Sequence, residues 1–290
     1  MKIGVIGLGI MGSSIARNSL KAGFSDTGFD SDAAARATLR EAGGEPAASA
    51  AEVARAADVV LTSLPSIAAL EQTIAALAEV ARPGQVVCEL STLPIEVKQR
   101  AHDALAKAGI ALLDCPLSGT GAQAVTGDLA VYASGDAAAY ETARPALAGF
   151  SRVCHYVGAF GNGMKMKIVA NLLVAIHNVA SAEAMVLGMK AGLDPEAIVK
   201  VIGSGAGTSR VFELRAPLMA ANDYVPPSMK CDIWQKDMAI IGSYATSLGI
   251  AAPLFFASVP VYNAAIAQGH GGDDTAAVCA VLERMAGMAR

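Results

Sequence analysis

The chain has 290 residues, which is enough for two modest domains with complete cores, and 53% of them are hydrophobic. The formal net charge of −4, without any basic tract, argues against a nucleic-acid-binding surface. Five cysteines without CxxC spacing and four scattered histidines predict neither a disulfide framework nor a metal site, so we expect a reduced, metal-free protein.

A glycine-rich turn follows the first predicted strand, residues 2–6, and precedes a helix predicted from about residue 11 to about residue 22. No charged leader with an apolar segment comes before this strand, so we expect a cytoplasmic location. Strand, glycine turn and helix, in this order, are the context that a dinucleotide-binding fingerprint requires. All six residues of the turn are predicted to contact the cofactor: Gly7, Leu8, Gly9, Ile10, Met11 and Gly12.

Each glycine of the turn has its own task in this interpretation. Gly7 permits the tight turn, Gly9 lets the backbone approach a pyrophosphate, and Gly12 allows the helix to pack closely on the strand. The helix N-terminus offers unpaired N–H groups and partial positive charge to the phosphates.

Asp30 lies about 20 residues beyond the turn, at the predicted end of the second strand. An acid there accepts hydrogen bonds from the adenosine ribose hydroxyls and repels a 2′-phosphate, and Ser31 is not an arginine that would attract one. NAD is therefore favoured over NADP. Alternatively, Asp30 caps the helix predicted to begin near Ala33, although Asp32 is also placed for that task.

Small polar and turn residues follow each of three further predicted strands, which alternate with helical patterns and so predict a mainly parallel sheet. The strands are residues 59–63, 86–90 and 110–113, and the polar clusters are residues 64–66, 91–94 and 114–121. Each cluster alone is typical of an ordinary turn. Because ligands bind beyond the C-terminal ends of parallel strands, their recurrence predicts a binding edge. Residues 129–133 and 153–157 read as strands that close the domain.

A long helix is predicted to begin within residues 161–171 and to run to about residue 189. Lys167 and Asn171 are four residues apart and share one helix face, whereas Lys165 points elsewhere. The run is apolar, but its internal polar residues predict a buried central helix rather than a membrane span. On these residues alone, Lys167 is equally well explained as a proton-transfer group or as a surface lysine in a first helical turn.

The remainder of the chain reads as helices separated by glycine and proline. We predict an α/β Rossmann-type N-terminal domain with a mainly parallel sheet over residues 1–160, and an all-α C-terminal domain over residues 161–290. The long helix would join the two domains. The apolar character of the helical half suggests a homodimer or homotetramer, and neither a nucleic acid nor a membrane is expected as a partner.

The chain resembles the β-hydroxyacid dehydrogenase family, which includes 3-hydroxyisobutyrate dehydrogenase, tartronate semialdehyde reductase and 6-phosphogluconate dehydrogenase. Four blocks carry the resemblance, in the family's order: residues 7–12, 114–127, 161–171 and 236–238. The match covers nearly the whole length. It implies an NAD(P)-dependent oxidoreductase that interconverts a small 3-hydroxy acid and the corresponding semialdehyde or 3-oxo acid.

The resemblance also implies roles for single residues. Lys167 would be the general base or acid, and Asn171 would orient the substrate. Ser118 and Gly119 would bind the carboxylate of a small substrate, in a loop that continues with Thr120. The residues that would line or reach the cofactor are Leu64, Pro65, Thr92 and Lys236. On spacing alone, Lys236 reads as a solvated helix lysine.

Several positions depart from the family's common pattern. Thr120 stands where a second glycine is usual, Ala170 where an asparagine is usual, and Met238 where a leucine is common. Thr120 lies in the substrate loop, so the identity of the substrate stays open. The alternatives are a glyoxylate/succinic or tartronate semialdehyde reductase of the same family, an imine reductase, and a non-catalytic NAD-binding sensor. Imine reductases usually have another proton donor where Lys167 stands, and a sensor would tolerate loss of the lysine–asparagine pair.

Overall fold

The computed structural model describes residues 1–80, 82–288 and 290. The chain divides into two compact units, Met1–Lys167 and Ile168–Arg290. The first unit is α/β and the second is built from helices, which confirms the predicted fold class. The division falls inside one long helix, whereas the sequence-based boundary between residues 160 and 161 lies just before that helix begins.

The first unit is organised around a parallel sheet of six strands. In chain order they are β1 (Lys2–Ile6), β2 (Ser25–Phe29), β3 (Glu45–Pro46), β4 (Val59–Thr62), β5 (Val86–Glu89) and β6 (Ala111–Asp114). Their spatial order is β3-β2-β1-β4-β5-β6, and every neighbouring pair is parallel, as predicted. The order reverses direction between β1 and β4, and open α/β sheets bind ligands at such a switch point.

Helices cover both faces of this sheet. They are α1 (Ile10–Lys21), α2 (Ala33–Glu41), α3 (Ala50–Ala56), α4 (Ile67–Val80) and α5 (Ile95–Lys107). Because side chains alternate between the faces of a strand, Val59 and Leu61 of β4 belong to one buried apolar cluster and Val60 belongs to another. Burial on both faces explains why β1, β4, β5 and β6 read as nearly continuous apolar runs.

A second, three-stranded sheet completes the α/β unit. It contains β7 (Leu117–Ser118), β8 (Ala130–Ala133) and β9 (Val153–Tyr156), with β7 antiparallel and β9 parallel to β8. Helices α6 (Gly121–Val125) and α7 (Ala137–Ala148) connect these strands. The two runs predicted to close the domain are therefore strands, but they pair with each other and with β7 rather than extending the large sheet.

Within residues 168–288 and 290, the second unit continues the long helix α8 (Asn162–Lys190) with five shorter helices and one 3-10 turn. They are α9 (Pro195–Gly203), α10 (Arg210–Ala221), α11 (Cys231–Ser247), α12 (Pro253–Ala267), the turn Thr275–Ala277 and α13 (Val278–Met285). Asp194 caps α9 through the N–H of Ala197 at 2.8 Å, with Pro195 at the first helical position, as its sequence predicts.

Helix α8 is long and apolar enough to cross a bilayer by length and composition alone. Two of its polar side chains, Asn171 and Asn178, are buried and make hydrogen bonds to other helices of the second unit. Asn178 Nδ2 donates to the hydroxyl of Tyr262 at 3.0 Å and to the carbonyl of Thr275 at 2.8 Å. Buried amides that donate hydrogen bonds to neighbouring helices are typical of a core helix.

Candidate dinucleotide and catalytic site

The glycine turn between β1 and α1 has room for a ligand at one of its three glycines only. A Cβ added to Gly7, whose φ is +90°, would lie 2.1 Å from the carbonyl oxygen of Ser63. A Cβ on Gly12 would lie 1.8 Å from the carbonyl oxygen of Gly7. A Cβ on Gly9 would meet nothing within 4 Å. Two glycines are therefore required by packing, and the third faces open space where a pyrophosphate can approach the backbone.

Gly9 is also the N-cap of α1, so the first N–H groups of that helix border the same open space. These groups have no partner within the helix and carry partial positive charge, which suits a phosphate. Of the other residues in the turn, Leu8 is buried, Met11 is half-buried and Ile10 is exposed. The turn therefore fits the pyrophosphate of a dinucleotide.

The carboxylate of Asp30 is held directly beside this turn. Its Oδ2 accepts the backbone N–H of Leu8 at 2.7 Å, and its Oδ1 accepts the N–H of Asp32 at 2.8 Å. Asp32 is the residue that caps α2, through the N–H of Ala34 at 2.9 Å. Ser31 Oγ also donates to Oδ1, at 3.4 Å. Because a carboxylate has about four acceptor sites, Asp30 retains capacity for a ribose hydroxyl.

Arg36, on α2, is a neighbour of this carboxylate that the sequence analysis missed. Its Nη1 donates to the carbonyl oxygen of Asp30 and, at 3.2 Å, to that of Ser31, and its guanidinium lies 6.0 Å from the ring centroid of Phe29. A fixed positive charge thus lies at the adenosine end of the site, where it opposes the selectivity expected from the Asp30 carboxylate. The only available signal was an arginine in the first turns of the helix after Asp30.

The loops after β4 and β5 are joined where the two neighbouring strands end. The N–H of Leu64 donates to the hydroxyl of Ser91 at 2.8 Å, and Leu90 N–H donates to the carbonyl of Thr62 at 2.9 Å. Leu64 and Thr92 are half-buried and Pro65 is exposed. The three residues predicted to line the cofactor site therefore lie at the C-terminal edge of the sheet, as the glycine turn does.

The predicted substrate loop lies between β7 and α6. Ser118 is the last residue of β7, and Ser118, Gly119 and Thr120 are all half-buried. Gln123 Oε1 accepts the backbone N–H of Thr120 at 3.0 Å and its hydroxyl at 3.4 Å. Thr120, which departs from the family pattern, is therefore the N-cap of α6, and the side chain of Gln123 closes the first turn by accepting from it.

Lys167 and Asn171 lie one turn apart on α8, and both are buried. The Lys167 residue is 9% exposed. Asn171 Nδ2 donates to Asp237 Oδ2 at 2.9 Å, a contact that lies within the helical unit. Because Asp237 accepts from this amide nitrogen, the Oδ1 of Asn171 is left as the acceptor on the other branch of the amide.

Asp237 is a second residue whose part the sequence analysis missed, although it lies in the block of residues 236–238. Lys236 Nζ is 3.7 Å from Asp237 Oδ1, and the Lys236 side chain is 44% exposed. The predicted contact of Lys236 with a cofactor stays a prediction. Among the described residues, no group of three or more His, Cys, Asp or Glu side chains is placed to hold a metal ion.

The α/β unit has a parallel sheet with an open glycine turn at its switch point, and α8 carries a buried lysine. Together these features define a nicotinamide-dependent dehydrogenase. Family models agree over nearly the whole chain. Residues 2–158 match the NAD-binding domain of 6-phosphogluconate dehydrogenase. Residues 161–282 match the NAD-binding domain of NADP-dependent 3-hydroxyisobutyrate dehydrogenase.

Similar proteins match at full length. An L-threonate dehydrogenase from Cupriavidus necator is 37% identical over 287 residues, which cover 97% of this chain and 95% of the relative. An NAD-dependent L-serine dehydrogenase from Pseudomonas aeruginosa is 31% identical, over 96% of this chain and 96% of the relative. The crystal structure of a 3-hydroxyisobutyrate dehydrogenase from Salmonella typhimurium matches with a TM-score of 0.86 and 32% identity, over 97% of this chain and 99% of that one.

The chain belongs to the β-hydroxyacid dehydrogenase family, which confirms the resemblance seen in its motifs. It is an NAD(P)-dependent oxidoreductase acting on CH–OH groups, and the predicted oxidoreduction of a small 3-hydroxy acid is the activity of this family.

Proposed function

We propose that the chain oxidises a small, carboxylate-bearing 3-hydroxy acid, with Lys167 as general base and NAD as the preferred cofactor. The observation that carries the proposal is the pair of buried side chains one turn apart on α8, Lys167 and Asn171, the second fixed by Asp237. The burial of Lys167 contradicts the alternative of a surface lysine in a first helical turn, and the shared helix face places the fixed amide of Asn171 one turn from it.

Oxidation of the alcohol requires removal of a hydroxyl proton and transfer of a hydride. The nicotinamide ring, when bound, accepts the hydride. Lys167 Nζ takes the hydroxyl proton, and in the reductive direction it returns that proton to the carbonyl oxygen. A positioned group of this kind contributes roughly 10² to 10⁴ in rate. Lys167 acts as base in its neutral amine form and becomes the ammonium when it takes the proton. The Oδ1 of Asn171 accepts a hydrogen bond from Lys167 in either form, and the second N–H of its amide donates to the substrate oxygen.

Ser118 and Gly119 hold the substrate carboxylate in this proposal. The Ser118 hydroxyl and the backbone N–H groups of the loop donate hydrogen bonds without adding a charge that would compete with Lys167. The names of the full-length relatives direct the choice of substrates to L-threonate, L-serine and 3-hydroxyisobutyrate. Each of these contains a carboxylate and a hydroxyl on the third carbon, so each satisfies the same geometry.

The preference for NAD rests on Asp30, whose carboxylate beside Leu8 would accept ribose hydroxyls and repel a 2′-phosphate. Arg36 acts in the opposite direction, because its guanidinium lies at the Asp30 and Ser31 carbonyls. We expect the carboxylate to dominate because it lies directly at the glycine turn.

The test is a panel of 3-hydroxy acids assayed by NADH or NADPH absorbance, run with NAD and with NADP in parallel. We expect turnover of at least one acid, with a higher kcat/KM for NAD. The reverse assay, with semialdehydes and reduced cofactor, shows whether reduction is the preferred direction. Absence of turnover with every acid and semialdehyde, combined with NADH binding, would support a non-catalytic NAD-binding sensor instead.

We also propose that the enzyme is a cytoplasmic homodimer or homotetramer without nucleic-acid or membrane partners. Large apolar side chains of the helical unit support association of copies, since they are more than half exposed in the single chain. They include Leu187, Leu193, Val201 and Leu254. Light scattering coupled to size-exclusion chromatography measures the mass directly, and a monomer at micromolar concentration would contradict this part of the proposal.

A further inference from the structure

Three buried charged side chains form one cluster in the α/β unit. Lys98 Nζ lies 2.7 Å from Glu89 Oε2 and 2.7 Å from Asp114 Oδ1, and all three side chains are 0% exposed. Glu89 ends β5, Asp114 ends β6, and Lys98 lies on α5. Burial by itself lowers the pKa of Lys98, but the charges of Asp114 and Glu89 outweigh it and raise that pKa, so the amine stays protonated.

The cluster supplies the missing cap of helix α8. Gly161 precedes the helix and has no side chain with which to cap it. Instead, Asp114 Oδ2 accepts the N–H of Met164 at 2.7 Å, and Ser134 Oγ accepts the N–H of Gly163 at 2.9 Å. The backbone at Gly163 packs closely against Asp114, since a Cβ on Gly163 would lie 2.6 Å from the Asp114 carbonyl oxygen. The first turn of α8 is therefore anchored by side chains of other elements.

The opposite side of the cluster leads to the loops of the cofactor site. Glu89 Oε1 accepts the N–H of Ser91 at 2.9 Å, and Ser91 Oγ accepts the N–H of Leu64 at 2.8 Å. A continuous chain of polar contacts thus runs from Leu64 through Ser91, Glu89, Lys98 and Asp114 to α8.

The cluster carries one net negative charge, which the partial positive charge at the N-terminus of α8 offsets. Burial of three charges is unfavourable unless each one has partners, and each one here has them.

We propose that Asp114 and Lys98 are positioning residues for the reaction, because they fix the first turn of α8, and with it Lys167, relative to the cofactor loops after β4 and β5. This inference rests on the proposed function of Lys167. Met164 is three residues before Lys167, so a shift of the first turn moves the base directly. Misplacement of a catalytic group by about 1 Å can cost about 10² in rate.

The test compares Asp114→Asn with Ser134→Ala and with Gln85→Leu. Lys98 and the Met164 N–H use different oxygens of Asp114, Oδ1 and Oδ2. Asparagine replaces one of these oxygens with an NH2 group, which donates and cannot accept, so one of the two contacts is lost. Ser134→Ala removes the acceptor of the Gly163 N–H and the hydroxyl that donates to Asp114 Oδ2 at 3.2 Å, but it keeps Lys98 and both carboxylates, and it serves if Asp114→Asn does not fold. Gln85 is the matched control, because it is buried just before β5 and donates to the carbonyls of Ala54 and Ala57 at 2.7 Å, at the opposite end of the strand from Glu89.

The measurements are kcat, KM, the thermal unfolding midpoint, and hydrogen exchange of the segment 161–170. We expect Asp114→Asn to lower kcat by about 10- to 100-fold with the substrate KM within about threefold, and Ser134→Ala to lower kcat by about three- to tenfold. Both variants lose exchange protection at the start of α8. Gln85→Leu lowers the unfolding midpoint and keeps kcat within about twofold of wild type.

Two results would overturn the positioning role: loss of exchange protection with an unchanged kcat, or an equal fall of kcat in Gln85→Leu at a similar loss of stability. These results leave the proposed function intact. If the proposed role of Lys167 is wrong, Lys167→Met retains turnover. This result distinguishes failure of the proposed function from failure of the positioning role. The exchange measurement needs no turnover and tests the anchoring of α8 in either case.

Discussion

Asn171 Nδ2 donates a hydrogen bond to Asp237 Oδ2 across 2.9 Å, and both side chains are buried in the helical unit. The contact connects α8 to α11, and it assigns the Oδ1 of Asn171 to the other branch of the amide, on the helix that also carries Lys167. Asp237 therefore decides which way the amide points, although Asn171 is the residue that would contact the substrate.

Asp237→Asn is expected to lower kcat by about tenfold with little change in NADH affinity, because the new amide can offer Asn171 either a donor or an acceptor. The matched control is Asp232→Asn, an exposed acid on the same helix whose Oδ1 accepts only the N–H of Ile233 at 2.7 Å among the contacts described. Steady-state kinetics and NADH fluorescence titration check both variants. An Asp237→Asn enzyme with wild-type kcat would show that the orientation of Asn171 does not depend on this contact.

The open space at Gly9 predicts a variant that folds but does not bind cofactor. Gly9→Ala meets no atom within 4 Å, so its stability should fall by no more than about 1 kcal/mol, the cost of a poorer N-cap. Its NADH affinity should fall at least tenfold, because the added methyl group occupies the approach of the pyrophosphate. Gly203→Ala, which also meets nothing within 4 Å, is the control and should change neither quantity. Unchanged NADH affinity in Gly9→Ala would remove the glycine turn from the cofactor site.

Asp30 and Arg36 should shift cofactor selectivity in opposite directions. Asp30→Ala removes the carboxylate that accepts ribose hydroxyls, so the ratio of kcat/KM for NAD over NADP should fall. Arg36→Ala removes the positive charge beside Asp30, so the same ratio should rise. Kinetics with both cofactors measure the ratio for each variant. A wild-type enzyme that uses NADP better than NAD would contradict the proposed preference.

Asp26 predicts a pH dependence of stability that is independent of the active site. This residue of β2 is 3% exposed, its carboxylate oxygens make no hydrogen bond among the described residues, and burial raises its pKa to about 7 from 3.8. The folded state therefore binds the proton more tightly than the unfolded state does. Stability should fall as the pH rises from about 4 to about 7, and the penalty should be complete above that range.

The neutral variant Asp26→Asn should lack this slope and should be more stable than wild type at pH 8, by roughly 1–4 kcal/mol. Urea unfolding at pH 5 and at pH 8 measures the difference. Equal stabilities of the two proteins at pH 8 would mean that the carboxylate is solvated or paired in solution.

The parts of the fold that depend only on residues adjacent in the chain were predictable from sequence. The strand, glycine turn and helix over residues 2–21 are adjacent in the chain, and Asp194 with Pro195 marks a helix start by local chemistry. The strand character of residues 130–133 was also visible. Their partners were not, because an alternating or apolar run shows that a strand exists but does not show which other strand it pairs with.

The side-chain contacts of the site were beyond sequence reasoning because they join distant residues. Lys98, on a helix, would be expected at the surface, since lysine is rarely buried without a partner. Its burial is intelligible only when Glu89 and Asp114 are seen at the ends of neighbouring strands. Arg36 and Asp237 were missed for the same reason, since the direction of a long or branched side chain depends on packing.

Lys167 is the proposed proton-transfer group, and its replacement by methionine tests this role because the side chain keeps its length and loses its amine. Lys165→Met is the control, since Lys165 lies in the same turn, is exposed and donates to Asn162 at 3.2 Å. We predict that Lys167→Met lowers kcat on the best substrate by about 10² or more and retains NADH binding, while Lys165→Met stays within about twofold of wild type. A fall in kcat of less than about tenfold in Lys167→Met would show that Lys167 is not the proton-transfer group.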